Sequence, residues 1–116
     1  MKKIYHLASC DTCRNILKEV QAEKKGAALQ DIKTEKITAA QIDEMKKLAG
    51  SYEALFSRKA IKYRSMGLNE KQLTEKDYRK LILEEYTFLK RPVAIVGNQI
   101  FIGNTKAVVE ELKNAL

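Results

Sequence analysis

The segment Val93-Ala94-Ile95-Val96-Gly97-Asn98-Gln99-Ile100-Phe101-Ile102 restricts the fold more than any other stretch of this 116-residue chain. Two β-prone apolar runs flank two residues that both tolerate positive φ, which predicts a β-hairpin closed by a two-residue turn. Pro92 stands where the first of these strands begins, an allowed place for a residue without an amide proton. Beyond the hairpin, Gly103-Asn104-Thr105 leads into a helix with Val108, Val109, Leu112 and Leu116 along one face.

The N-terminal third reads differently. Residues 3–7 form a short β-prone run that ends at the polar Ser9 and Asp11. A helical pattern follows, with Ile16, Leu17 and Val20 on one face and Gly26 as its expected stop. Residues 29–34 alternate weakly, as a second strand would. Next, Thr38-Ala39-Ala40-Gln41 is a capping box, in which a hydroxyl and an amide side chain reciprocally satisfy the first backbone N–H groups of a helix. Ile42, Met45, Leu48 and Ala49 continue it at helical spacing, and Gly50 closes it. Residues 52–66 read as a short helical region. Thr74 opens a further helix whose inner face holds Tyr78, Leu81, Ile82 and Glu85 or Tyr86.

The order is therefore β-α-β, then helices, then β-β-α. That is the thioredoxin-like α/β order, with a mixed central sheet and a helical insertion at about residues 38–88. No repeat, linker or low-complexity segment interrupts the sequence, so a single domain spanning residues 1–116 is expected.

Composition narrows the setting. No apolar run approaches the roughly 18–20 residues that a membrane span requires. Met1-Lys2-Lys3-Ile4-Tyr5-His6 turns polar too soon for a secretory signal, and a cytoplasmic protein is expected. The formal net charge is +7, which favours anionic partners. Basic and acidic residues alternate, as in Asp43-Glu44-Met45-Lys46-Lys47, and no basic arm marks a nucleic-acid-binding face.

Chemistry concentrates in Cys10-Asp11-Thr12-Cys13, which falls where a strand ends and a helix begins. The first N–H groups of a helix lack intrahelical acceptors, and the helix dipole adds partial positive charge there. A thiolate at that place is stabilised and its pKa falls. Cys10 leads the helix and is the expected nucleophile. Cys13, one turn further in, suits a resolving role. The same N–H groups suit an oxyanion held beside the sulfur. Zinc would need four ligands, against two cysteines and one histidine here. Two cysteines serving only as core residues is the plain alternative.

The run Ile4-Tyr5-His6-Leu7-Ala8-Ser9-Cys10-Asp11-Thr12-Cys13-Arg14-Asn15 resembles the opening of the arsenate reductase family of thioredoxin-like proteins. That family comprises glutaredoxin-coupled arsenate reductases and Spx-type transcriptional regulators. The resemblance extends over nearly the whole chain and includes Arg91-Pro92 before the hairpin. It implies that Cys10 attacks arsenate and that a second thiol then releases arsenite. It places His6 near the reactive thiol, favouring its thiolate. A strand-end histidine bonded to backbone is the competing reading. It makes Arg58 and Arg91 the guanidinium groups that hold the oxyanion, with Arg64 in reserve for Arg58, and Thr12 a further substrate-binding candidate. Pro92 matches the family's cis-proline.

Two positions depart from the reductase pattern. The reductases carry a third arginine after the hairpin, where this chain reads Ile102-Gly103-Asn104-Thr105 with Lys106 beyond. Cys13 stands where many single-cysteine reductases have serine. The enzyme reading requires no bound organic cofactor or metal, only an external thiol: glutathione, glutaredoxin or thioredoxin. The alternative is an Spx-type regulator that binds the RNA polymerase α subunit and senses oxidation through a Cys10–Cys13 switch.

Overall fold

The structure is a computed structural model that describes residues 1–116. Four strands, β1 (Lys2–His6), β2 (Ala28–Asp31), β3 (Val93–Val96) and β4 (Gln99–Ile102), form one sheet in the order β2-β1-β3-β4. β2 runs parallel to β1, while β3 is antiparallel to both β1 and β4. The α/β fold with a mixed sheet and a helical insertion is thus as the element order predicted.

The chain forms two compact units. One comprises residues 1–36 and 91–116, and the other residues 37–90. The first contains the sheet with helices α1 (Asp11–Glu19) and α5 (Lys106–Ala115). Ile4 and Ala94 meet Ile16 and Val20 of α1 and Val109 and Leu112 of α5 in one cluster. The inner strand β3 is an unbroken apolar run because it is buried over Val93-Ala94-Ile95. The hairpin turn needs Gly97, whose φ is +62°. Asn98 stays at negative φ, so only the first turn residue uses the left-handed region.

The end of α1 differs from the sequence expectation. The helix stops at Glu19, well before Gly26. Gln21 adopts φ +56°, its N–H donates to the Lys18 carbonyl (3.1 Å), and the Ala22 N–H donates to the Leu17 carbonyl (3.1 Å). Those two bonds define a Schellman ending, a conformation usually given to glycine. The second strand is also shorter than the alternation suggested, closing at Asp31. There the Ile32 N–H still donates to the His6 carbonyl (2.9 Å) before the chain turns.

In the second unit, α2 (Ala39–Ala49) carries the Thr38/Gln41 capping box and ends at Gly50 with φ +94°. Helix α3 (Ile61–Ser65) is short, and α4 (Glu75–Glu84) starts at a second capping box, Thr74 with Asp77. The aromatic centre is Phe56, stacked on Phe88 at 5.1 Å and packed against Tyr78 at 4.9 Å and Tyr63 at 6.0 Å. Two backbone bonds fix it: the Ser57 N–H donates to the Phe88 carbonyl (2.7 Å) and the Lys90 N–H to the Leu55 carbonyl (2.8 Å). Edge and offset contacts of this kind add about 0.5–1.5 kcal/mol each beyond area burial.

Candidate active site

Strand β1 ends at His6, and a tight turn delivers Cys10 to the N-cap of α1. The Cys10 N–H donates back to the Leu7 carbonyl (3.0 Å), and its own carbonyl accepts the first helical bond from the Arg14 N–H (3.0 Å). Cys10 has extended backbone angles, as an N-cap must (φ −93°, ψ 117°). Arg14 holds this turn from outside: its guanidinium donates to the Ala8 carbonyl (3.1 Å) and pairs with Asp11. The sequence reading gave Arg14 no role. Its spacing of three from Asp11 on a helix was the available signal.

Both thiols are free, Cys10 partly exposed and Cys13 1% exposed. Their environments push them apart. The Cys10 side chain closes no capping hydrogen bond. Its pKa is nonetheless held below the ordinary thiol value, first by the Cys13 backbone amide. Partial burial opposes this, and the Cys13 side chain, the Thr12 amide and the Arg91 charge add to it. Thr12 and Cys13 supply the second and third amides of α1, the donors that a helix start leaves without partners. Cys13 goes the other way, pushed up to about 11, mainly by burial, with the Leu7 backbone opposing and the Cys10 charge adding to the rise.

Arg91 is half-buried, and its guanidinium charge acts on both sulfurs. The Arg91–Pro92 peptide is cis. Pro92 is buried at the start of β3, and its carbonyl accepts the Gly103 N–H (2.9 Å), tying it to the end of the hairpin. His6 is buried at the end of β1, and its Nδ1 has no hydrogen-bond partner. Thr12 is exposed on α1. Cys10, Cys13, Thr12, His6, Arg91 and Pro92 therefore all belong to the sheet-bearing unit.

Arg58 belongs to the helical unit. Its guanidinium donates to Glu53 (2.7 Å) and to the Tyr78 hydroxyl (2.9 Å), and lies 5.8 Å from the Tyr78 ring centre. The Glu53 carboxylate accordingly raises its already high pKa. Arg64 is exposed on α3. Glu53 and Tyr78 are the partners of Arg58 that sequence reasoning missed, since they lie 5 and 20 residues away along the chain. No group of three or more His, Cys, Asp or Glu side chains is placed to hold a metal ion. No helix is long and apolar enough to cross a membrane.

Comparison with known proteins follows the same lines. No curated protein matches the chain. Among solved structures, an arsenate reductase from Vibrio cholerae superposes with a TM-score of 0.80 at 16% identity, covering 99% of this chain and 97% of the other. A protein described as a possible arsenate reductase from Streptococcus mutans UA159 gives 0.77 at 24% identity, covering 97% of each. An arsenate reductase related protein from Brucella melitensis gives 0.73 at 22%, covering 95% of this chain and 92% of that one. Likenesses at such identities speak to the fold, which they share from end to end. The profile of the ArsC family matches residues 5–112, from within β1 to the buried Leu112 of α5, and the chain belongs to the ArsC family.

Proposed function

We propose that the protein is a thiol oxidoreductase that reduces arsenate, or a small oxyanion of the same shape, through Cys10. The reading rests on one observation above others: Cys10 sits at the start of α1 with its pKa lowered by the helix amides and the Arg91 charge. Family membership supports a thiol reductase, and the neighbours named as arsenate reductases weigh toward the enzyme and away from a polymerase-binding regulator.

In this reading the Cys10 thiolate attacks arsenic(V). A sulfur–arsenic bond forms and one arsenate oxygen leaves as water after protonation. The remaining oxygens carry negative charge and are held by the Thr12 and Cys13 amides and the Arg91 guanidinium. His6 tunes the thiol from the end of β1. A second thiolate then attacks Cys10 Sγ. The sulfur–sulfur bond forms as the sulfur–arsenic bond breaks, and its electron pair leaves with arsenic, which departs as arsenite. An external thiol or Cys13 serves as that attacker.

The pKa order separates the two steps. Held near 11, Cys13 keeps its proton while Cys10, lowered from the ordinary thiol value, is the first of the two to ionise. Once Cys10 is esterified, the repulsion that its thiolate exerts on Cys13 disappears, and Cys13 ionises more readily. External thiol restores the dithiol form, and no bound organic cofactor or metal takes part.

The test is arsenate-dependent NADPH oxidation coupled through glutathione with glutaredoxin, or through thioredoxin. Cys10→Ser is expected to reduce turnover to background, and Cys13→Ser to change which reductant supports it. Equal turnover in wild type and Cys10→Ser removes Cys10 from the mechanism.

A further inference from the structure

The two thiols of the sheet-bearing unit interact directly. Cys10 and Cys13 hydrogen-bond sulfur to sulfur, with the buried Cys13 thiol donating to Cys10. One stands at the N-cap of α1 and the other in its first turn. Both are free of any disulfide.

A pair of thiols held side by side is a chelator for a thiophilic centre that exchanges two of its ligands. The number of donors decides which centre fits. No group of three or more His, Cys, Asp or Glu side chains is placed to hold a metal ion. An ion that demands four ligands, such as zinc, therefore finds only half of them here. Trivalent arsenic binds three ligands, prefers soft sulfur donors to oxygen, and keeps hydroxide readily as the third. Spacing suits it as well. A disulfide requires its sulfurs to close to about 2 Å. Hydrogen-bonded thiols stand much further apart, and one atom bonded to both spans that gap.

Exposure sets the order of the two bonds. Cys13 is 1% exposed and Cys10 is partly exposed, so Cys10 meets a solute first and Cys13 closes the ring. The second bond is then intramolecular, and linkage of that kind strengthens binding by roughly 10²–10⁴ over a single attachment.

We propose that the reduced Cys10–Cys13 pair captures trivalent arsenic as a cyclic dithiolate, so that the product of the reaction proposed above inhibits the protein. Capture stands without that reading; inhibition rests on it. The step balances without electron transfer. Arsenous acid, As(OH)3, meets the two thiols. Two As–O and two S–H bonds break, two As–S bonds form, and two waters leave with the thiol protons. Arsenic keeps one hydroxyl and stays trivalent, so neither oxidant nor reductant is consumed. Cys10 is then closed to arsenate. Cys13, which stands where many single-cysteine reductases have serine, supplies the bond that makes the adduct a ring.

The test separates capture from turnover. Sodium arsenite is titrated into the full reduced protein and followed by calorimetry and by native mass spectrometry. One arsenic per chain is expected, with two protons lost from sulfur. Cys13→Ser and Cys10→Ser are each expected to weaken binding about a hundredfold, because one sulfur cannot chelate. Circular dichroism checks that both variants fold, and wild type carboxamidomethylated at Cys10 gives the same comparison without a substitution. No arsenic retained by wild type, or equal affinity in wild type, the folded variants and the alkylated protein, overturns the assignment. In the coupled assay arsenite is expected to raise the apparent KM for arsenate while kcat holds, and Cys13→Ser is expected to relieve that inhibition about a hundredfold. Capture of arsenite without any arsenate turnover would sink the reductase reading and leave the dithiol site standing. Arsenate turnover through Cys10 that arsenite does not inhibit, in a protein that retains no arsenic, would do the opposite.

Discussion

One thiol at the head of α1 is pulled below its ordinary value while the other, a turn further in, is pushed up to about 11. Removing the Arg91 charge takes away a cation that favours the Cys10 anion, so Arg91→Ala is expected to raise the Cys10 pKa. Ultraviolet thiolate absorbance against pH, in a Cys13→Ser background, reads that midpoint, and an unchanged value would disprove the coupling. Cys13 gives a stability prediction of the opposite sense. A thiol raised in the folded state contributes stability below its unfolded value of 9.0, and that contribution is lost as pH rises from there through about 11. Urea titrations over that window are expected to show an alkaline decline that Cys13→Ser reduces. Much of this site was legible from residue types alone. Two cysteines at a strand-to-helix junction locate an amide-rich N-terminus without any coordinates. The Ala8 carbonyl that Arg14 reaches and the Glu53 carboxylate that Arg58 reaches were not legible, because a guanidinium finds such an acceptor only when turns have brought it near.

The elements of this fold divide by how local their causes are. Thr38 with Gln41 and Gly50 fix both ends of α2 through contacts within four residues, and both ends were readable from the sequence. The end of α1 was not, because Gln21 takes a backbone conformation in which glycine is the expected residue. For an L-residue the left-handed region costs about 1–2 kcal/mol. Glycine avoids that cost but gains freedom in the unfolded chain. Gln21→Gly is therefore expected to stabilise the protein by roughly 0.5–1 kcal/mol, raising the urea midpoint without changing the slope. A lower midpoint would show that the Gln21 side chain contributes more than the backbone strain costs. Similarly, β2 ended early because its weak alternation said nothing about where the parallel partner β1 stops.

At the scale of the whole molecule, an excess of seven positive charges attracts anions before any specific contact forms. The kcat/KM for arsenate in the coupled assay is expected to fall as ionic strength rises, with kcat nearly constant, because salt screens encounter more than bound contacts. A flat salt profile would confine the attraction to the site itself. The strand order carries another consequence. β3 lies between β1 and β4, yet about sixty residues separate β2 from it in sequence. A chain emerging from the ribosome thus exposes one whole side of β1, directly before the cysteine pair, until the last quarter of the polypeptide has been made. Translation halted after residue 90 would leave a bare strand edge next to two reduced sulfurs, a nascent species suited to mispairing with its neighbours and in need of chaperone cover.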